Sequence, residues 1–161
     1  MMPPIVENHL RGRYRHYEPH GHTAAFTAQE LAAAEHLDGH KVAKPVLLWI
    51  GDNLAMAVVA ATDRVNMSPL EEATGCAAEL ASEDEFAGAF QPCAVGAEPP
   101  FAMFGVPIFV DDKLMHEPRI VLPAGTHEDA VVVDTAEWAW CERVQPITNL
   151  GRRHAATTCR G

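Results

Sequence analysis

The sequence has no apolar run approaching the ~20 residues that a membrane-spanning helix needs, so no helical span is expected. The opening Met1, Met2, Pro3, Pro4 leads into polar residues rather than the apolar core of a secretory leader, and the expected compartment is the cytoplasm. Cysteine is sparse. Cys76, Cys93, Cys141 and Cys159 form no CxxC pair and no zinc-ribbon spacing. In a reducing compartment they are expected as thiols, the first three as small buried hydrophobes. HExxH, the HxE…CxxC deaminase pattern, the P-loop, the GxSxG elbow and GxGxxG are all missing. No Cys–His pair stands out as a nucleophile and base. The chemistry expected here uses no metal, no cofactor and no activated side-chain nucleophile.

Positive charge is scarce in the body of the chain. Arg11, Arg13 and Arg15 stand near one end and Arg152, Arg153 and Arg160 near the other. With Glu7 and Glu18 the only acids at those ends, a net charge of −10 for the whole places −14 on residues 23–150. Such a body disfavours broad binding to a nucleic-acid backbone, and no specific DNA binding is expected. It leaves room for gripping one nucleic-acid end in a local pocket, with the basic ends as steering charge or as solvated termini.

At 161 residues, one domain with a real core is expected. Residues 1–22 read as an irregular arm, broken by Pro3, Pro4 and Pro19. Residues 23–150 read as the domain proper and 151–161 as a basic tail. Thr27 to Glu30 is a capping box ahead of an alanine-rich helix to His36, closed near Gly39. Val42–Ile50 reads as a strand, with Pro45 confined to an edge or bulge. A turn at Gly51, Asp52 and Asn53 returns the chain through Leu54–Ala61. Ser68 caps a short helix with Pro69 at its first position, and Gly75 ends it. A short strand is expected within 76–81. The capping box Ser82 to Glu85 opens a helix to about Ala89. Strands follow at 106–110, 119–122 and 130–133, and Asp134 to Glu137 caps a last helix carrying Trp138 and Trp140. These two indoles are expected as core and surface packing rather than as a base-stacking platform. The class is α+β: one compact domain with a curved, mixed, largely antiparallel sheet and helices packed around it.

Two features carry candidate chemistry. Lys44 enters an apolar strand, where a lysine either snorkels to water or points into a polar cleft as a compact cation for phosphate or carbonyl oxygen. Gly96, Ala97, Glu98, Pro99 and Pro100 form a rigid loop whose backbone N–H groups are expected to serve as an anion or oxyanion site. His127 and Asp129 sit in a glycine-led turn, Gly125–Asp129, and are candidates to line the same cleft.

In this order the pieces resemble the YbaK/prolyl-tRNA synthetase editing-domain superfamily, from about His20 to Trp140. The resemblance rests on the capped helix, the strand entry Lys41, Val42, Ala43, Lys44, the GxxxP loop Gly96–Pro100, the strand ending in Val110 and Asp111, and the late turn at Gly125. It implies a compact α+β fold and hydrolysis of the ester joining a wrong amino acid to the terminal ribose of a tRNA. It also implies action in trans, with an aminoacyl-tRNA acceptor end as partner and an aminoacyl-tRNA synthetase as the source of the error. Under the resemblance Lys44 is the important lysine. Gly96 and Ala97 offer N–H groups to the oxyanion, and Glu98 and Pro100 surround the aminoacyl group. His127 or Asp129 supplies a late polar group, and Phe26 lines the pocket from before the first helix. Pro45 stands where better-known members often carry a polar residue, and Ala102 where many have glycine.

Other readings of the same residues stay open at this level. A non-catalytic module could hold an aminoacyl-tRNA end, a nucleotide or an amino-acid derivative. A metal-dependent hydrolase could use His20, His22, His36 or His40.

Overall fold

The computed structural model describes residues 1–21 and 42–153. The expected helix at 27–36, with Phe26, His22, His36 and His40, lies outside the described residues, as does Cys159.

Residues 1–21 are not an irregular arm. They form helix α1, Pro4–Arg13, and strand β1, Tyr17–Gly21. The prolines that read as breakers sit where proline does no harm. Pro4 opens α1, where an N–H would have no helical partner. Pro19 lies on β1, an edge strand of its sheet. Val6 and Leu10 of α1 are fully buried.

The strands β2, Ala43–Ile50, and β3, Asn53–Ala60, form an antiparallel hairpin about Gly51 and Asp52. Strand β5, Ala78–Leu80, pairs with β2 only at Leu48, Trp49 and Ile50. Pro45 therefore sits on the half of β2 that β5 does not reach, the edge-like place expected of it. On the other side β3 pairs in parallel with β6, Ile108–Asp111, which pairs in parallel with β9, Gln145–Ile147. The resulting five-stranded sheet runs β5-β2-β3-β6-β9.

β3 is buried on both faces, which explains its unbroken apolar run. Met56, Val58 and Ala60 pack with Leu10, Phe101 and Trp138, while Ala55, Ala57 and Val59 pack with Leu48, Leu70 and Leu150. Each fully buried Leu contributes on the order of 2 kcal/mol of transfer free energy.

A second sheet, antiparallel, orders β1, then β8, Asp129–Asp134, then β7, Arg119–Pro123. A parallel bridge from Val42 to Val121 ties it to the first sheet. A third, two-stranded sheet joins β4, Asp63–Val65, to β10, Gly151–Arg153. The expected α+β class holds, with the pairing divided among these sheets. Residues 151–153 are a strand rather than the start of a loose tail.

The helices are short. α2, Met67–Thr74, starts one residue before Ser68; Asn66 is its cap, held by its N–H to the Leu150 carbonyl at 2.7 Å. α3, Glu83–Phe86, opens on the expected capping box, Ser82 with Glu85, and passes into a 3-10 turn at Ala87–Phe90. α4 is Thr135–Cys141, with Asp134 as its cap residue but no side-chain capping bond. Cys93 is buried and Cys141 half-buried, while Cys76 is exposed, against the expectation of burial.

Candidate functional site

The GxxxP loop and the late turn are laced together. Ala94 N–H donates to the Gly125 carbonyl and Gly125 N–H donates to the Ala97 carbonyl, each at 2.9 Å. Gly96 adopts φ +93°, and a β-carbon there would lie 3.2 Å from His127 Cε1. Gly125 adopts φ +97°, and a β-carbon there would strike the Pro3 ring at 2.8 Å. Both positions need glycine twice over, for conformation and for space. Gly96, Ala97, Glu98 and His127 are thereby brought together, and the α1 segment backs the turn.

The loop does not offer its N–H groups as expected. Gly96 N–H donates to the Glu98 carboxylate at 3.0 Å, and Ala97 N–H donates to the Ala94 carbonyl at 3.0 Å. Ala97 is buried, and Glu98 is 5% exposed. Burial pushes the Glu98 carboxyl above its ordinary pKa, against the opposing pull of the Gly96 N–H and of His127. Glu98 thus clamps the loop from within.

Beyond the loop proline the chain hangs from α4. Trp138 Nε1 donates to the Pro100 carbonyl at 3.0 Å. Ala102 N–H donates to Glu142 Oε1 at 2.8 Å. Glu142 is 2% exposed and takes two more donors on Oε2, Tyr14 Oη at 2.6 Å and His9 Nε2 at 2.8 Å. Phe101, between the two anchors, stacks on His9 with ring centroids 4.7 Å apart. Burial and the neighbouring Glu142 carboxylate push the Tyr14 phenol well above its ordinary value.

Asp129 is engaged in the turn itself. Its carboxylate accepts from Thr126 Oγ1 and lies 3.4 Å from the Met1 amine.

Lys44 lies on the face of β2 opposite Ala43 and Leu47, and its ammonium donates to the Asp63 carbonyl oxygen. Burial lowers its pKa and the Asp63 charge partly offsets that. Among the described residues, no hydrogen bond or ion pair joins Lys44 to the Gly96–Pro100 loop.

Sequence reasoning missed the acidic cluster behind Lys44. Asp111 is 1% exposed and lies 3.6 Å from Lys113 Nζ, which is also 3.5 Å from Asp63 Oδ2. A β-carbon on Gly151 would meet Asp111 Oδ2 at 2.4 Å and Asp63 Oδ2 at 2.9 Å. The strand-ending Val110, Asp111 pair was visible in the sequence; its partners, from β4 and β10, were not.

Of the histidines considered as metal ligands, His20 pairs with Glu18 at 3.2 Å. Donor atoms of His16, Asp134 and Glu137 lie within 4.8 Å of one another. The Glu137 oxygens accept the N–H groups of Arg15 and His16, at 2.8 and 3.1 Å, and Asp134 faces Arg119 Nε at 3.8 Å. Those contacts account for the grouping without an ion. No helix among the described residues is long and apolar enough to cross a membrane.

This mixed-sheet framework matches a known class of domain. The model of the aminoacyl-tRNA editing domain family matches residues 22–140, and the chain belongs to that family. Among solved structures, a protein proposed to be a trans-editing enzyme for prolyl-tRNA synthetase superposes with a TM-score of 0.79 at 18% identity, over 91% of this chain and 96% of that one. The hypothetical protein APE2540 superposes with a TM-score of 0.83 at 17% identity, over 91% of this chain and 99% of that one. At such identities the likeness is one of fold. No curated protein matches the chain.

Proposed function

We propose that this protein is a trans-editing deacylase, hydrolysing the ester between a wrongly attached amino acid and the terminal ribose of a tRNA. The observation that carries the reading is the family match over residues 22–140, joined to a Gly96 loop held against His127. Water adds to the ester carbonyl, the C–O bond to the ribose breaks, and the ribose oxygen leaves with a proton. An activated ester needs little beyond a positioned water and a stabilised oxyanion.

The roles shift from those first expected. Gly96 and Ala97 donate their N–H groups inside the loop, so in this reading the loop serves as a rigid wall, braced by Glu98, Pro100 and Trp138. Lys44 supplies positive charge to the terminal phosphate or the carbonyl oxygen. His127, at the loop's glycine, is the polar group of the late turn. A small rigid pocket excludes larger side chains, because one methylene in binding is worth only ~1–3 kcal/mol.

Deacylation of a panel of mischarged tRNAs by wild type and Lys44→Ala tests the reading. Hydrolysis of at least one, lost in the variant, is expected; no hydrolysis, or full activity in the variant, overturns it. The occupied N–H groups of Gly96 and Ala97 favour one second reading, a module that binds an aminoacyl-tRNA end without turning it over. Tight binding with no release of amino acid is its signature.

A further inference from the structure

Trp140 is 85% exposed, an unusual position for the largest apolar side chain. It shares a surface groove of about 630 Å³ with Arg13 and Arg143, and among the described residues no carboxylate lines that groove. In a chain of net charge −10 this is a local island of positive charge. The acids on and just after α4 are otherwise engaged: Glu137 holds the N–H groups of Arg15 and His16, and Glu142, the residue after the helix, is buried and bonded to Tyr14 and His9. The groove's two sides are fixed to each other, since Cys141 Sγ donates to the Arg13 carbonyl at 3.5 Å. Arg143 follows α4 at φ +53°, a left-handed position where glycine is the usual residue. A second cavity of about 300 Å³ shares Arg13 and Arg143 and reaches Ala102 and Met103, just past the loop proline; Glu142 also lines it, its carboxylate already taken up by Ala102, Tyr14 and His9.

We propose that Trp140, Arg13 and Arg143 form a docking surface for the single-stranded end of an RNA. A base stacks on the indole, and flanking phosphates meet the two guanidiniums. Phosphate in place of a protein partner follows from the charge of the Trp140 groove: two cations, an open aromatic face and, among the described residues, no lining carboxylate. That the RNA is a tRNA acceptor end rests on the deacylase reading, and the cavity reaching Ala102 gives the strand a path toward the GxxxP loop.

The test is equilibrium binding of uncharged tRNA and of a short single-stranded RNA to wild type, Trp140→Ala, Trp140→Phe and the double variant Arg13→Ala, Arg143→Ala. Unchanged thermal unfolding of each variant establishes an intact fold. Trp140→Ala is expected to weaken binding roughly tenfold or more while Trp140→Phe retains most of it. The double arginine variant is expected to flatten the salt dependence by about 1.4 in log–log slope. No RNA binding by wild type, or equal binding by Trp140→Ala, overturns the surface, as does a Trp140-dependent dimer whose loss leaves RNA affinity unchanged. Patch-dependent RNA binding without hydrolysis of any mischarged tRNA sinks the deacylase reading and leaves the surface standing. Hydrolysis with patch-independent binding does the reverse.

Discussion

Gly96 and His127 meet so closely that a single added methyl at Gly96 would press on the imidazole at 3.2 Å. The GxxxP loop and the late turn are thus one packed unit, although about thirty residues of chain separate them. Gly96→Ala is expected to lower stability by about 1–2 kcal/mol, the cost of a left-handed conformation for an L-residue. It is also expected to reduce deacylation more than that loss explains, because His127 must move. Urea unfolding and initial deacylation rates at one temperature separate the two effects.

Lys44 sets an alkaline limit. Its pKa lies below the ordinary 10.5 because burial disfavours the ammonium. If the ammonium acts on substrate, the rate falls as pH rises through that lowered value, earlier than for an exposed lysine. Stability moves the other way in the same window: the unfolded chain binds the extra proton, so stability rises with pH between the lowered value and 10.5. Lys44→Arg, charged throughout, is expected to lose the alkaline limb of the pH–rate profile. A limb that persists in Lys44→Arg assigns it to another group.

Glu98 carries a stability cost at neutral pH. Its carboxyl is raised above 4.5 by burial, so the folded state holds its proton longer than the unfolded chain does. Stability contributed by this group is therefore present at acid pH and lost as pH rises from 4.5 through the raised value. Glu98→Gln keeps an acceptor for the Gly96 N–H and removes that titration. The variant's advantage over wild type in thermal unfolding is expected to grow as pH rises through this window. A constant difference across pH would assign the cost elsewhere.

Glu142 serves Ala102, Tyr14 and His9 at once. Glu142→Ala leaves the buried Tyr14 hydroxyl and the part-buried His9 and Ala102 donors without this partner and is expected to cost about 1–3 kcal/mol. Glu142→Gln, with a single acceptor oxygen, is expected to fall between the two. Both are measured by denaturant unfolding. Because Ala102 follows the loop proline closely, Glu142→Gln is also expected to raise KM before it lowers kcat.

What could be read from the residues alone was local. The Ser82–Glu85 capping box, the Gly51 and Asp52 hairpin and the restricted place of Pro45 follow from chemistry within a few positions, and each stands as expected. The split of Trp138 into the core and Trp140 onto the surface follows helical spacing. Phe26 and its helix lie outside the described residues, so that part of the expected pocket is untouched. The misses arose where meaning depends on distant partners. Pro4 and Pro19 read as breakers until β8 and the α1 start give them harmless positions. His9 and Glu142 lie 133 residues apart, and nothing near either one announces the other. The N–H groups of Gly96 and Ala97 looked available because a sequence shows a loop's donors but not the Glu98 carboxylate that folds back onto one of them.

The family match begins at residue 22 and stops at 140, yet Val6 and Leu10 before it are fully buried, and Glu142 after it binds the chain that follows the GxxxP loop. The stretch that the family model matches and the unit that folds therefore have different borders in this protein. A chain cut to residues 22–140 would keep the Gly96–Pro100 loop and the late turn and lose Pro3 and Glu142, which back the turn and hold the chain beyond the loop. A substitution in these flanking struts can therefore shift the late turn or the chain beyond the loop proline without touching a residue of either.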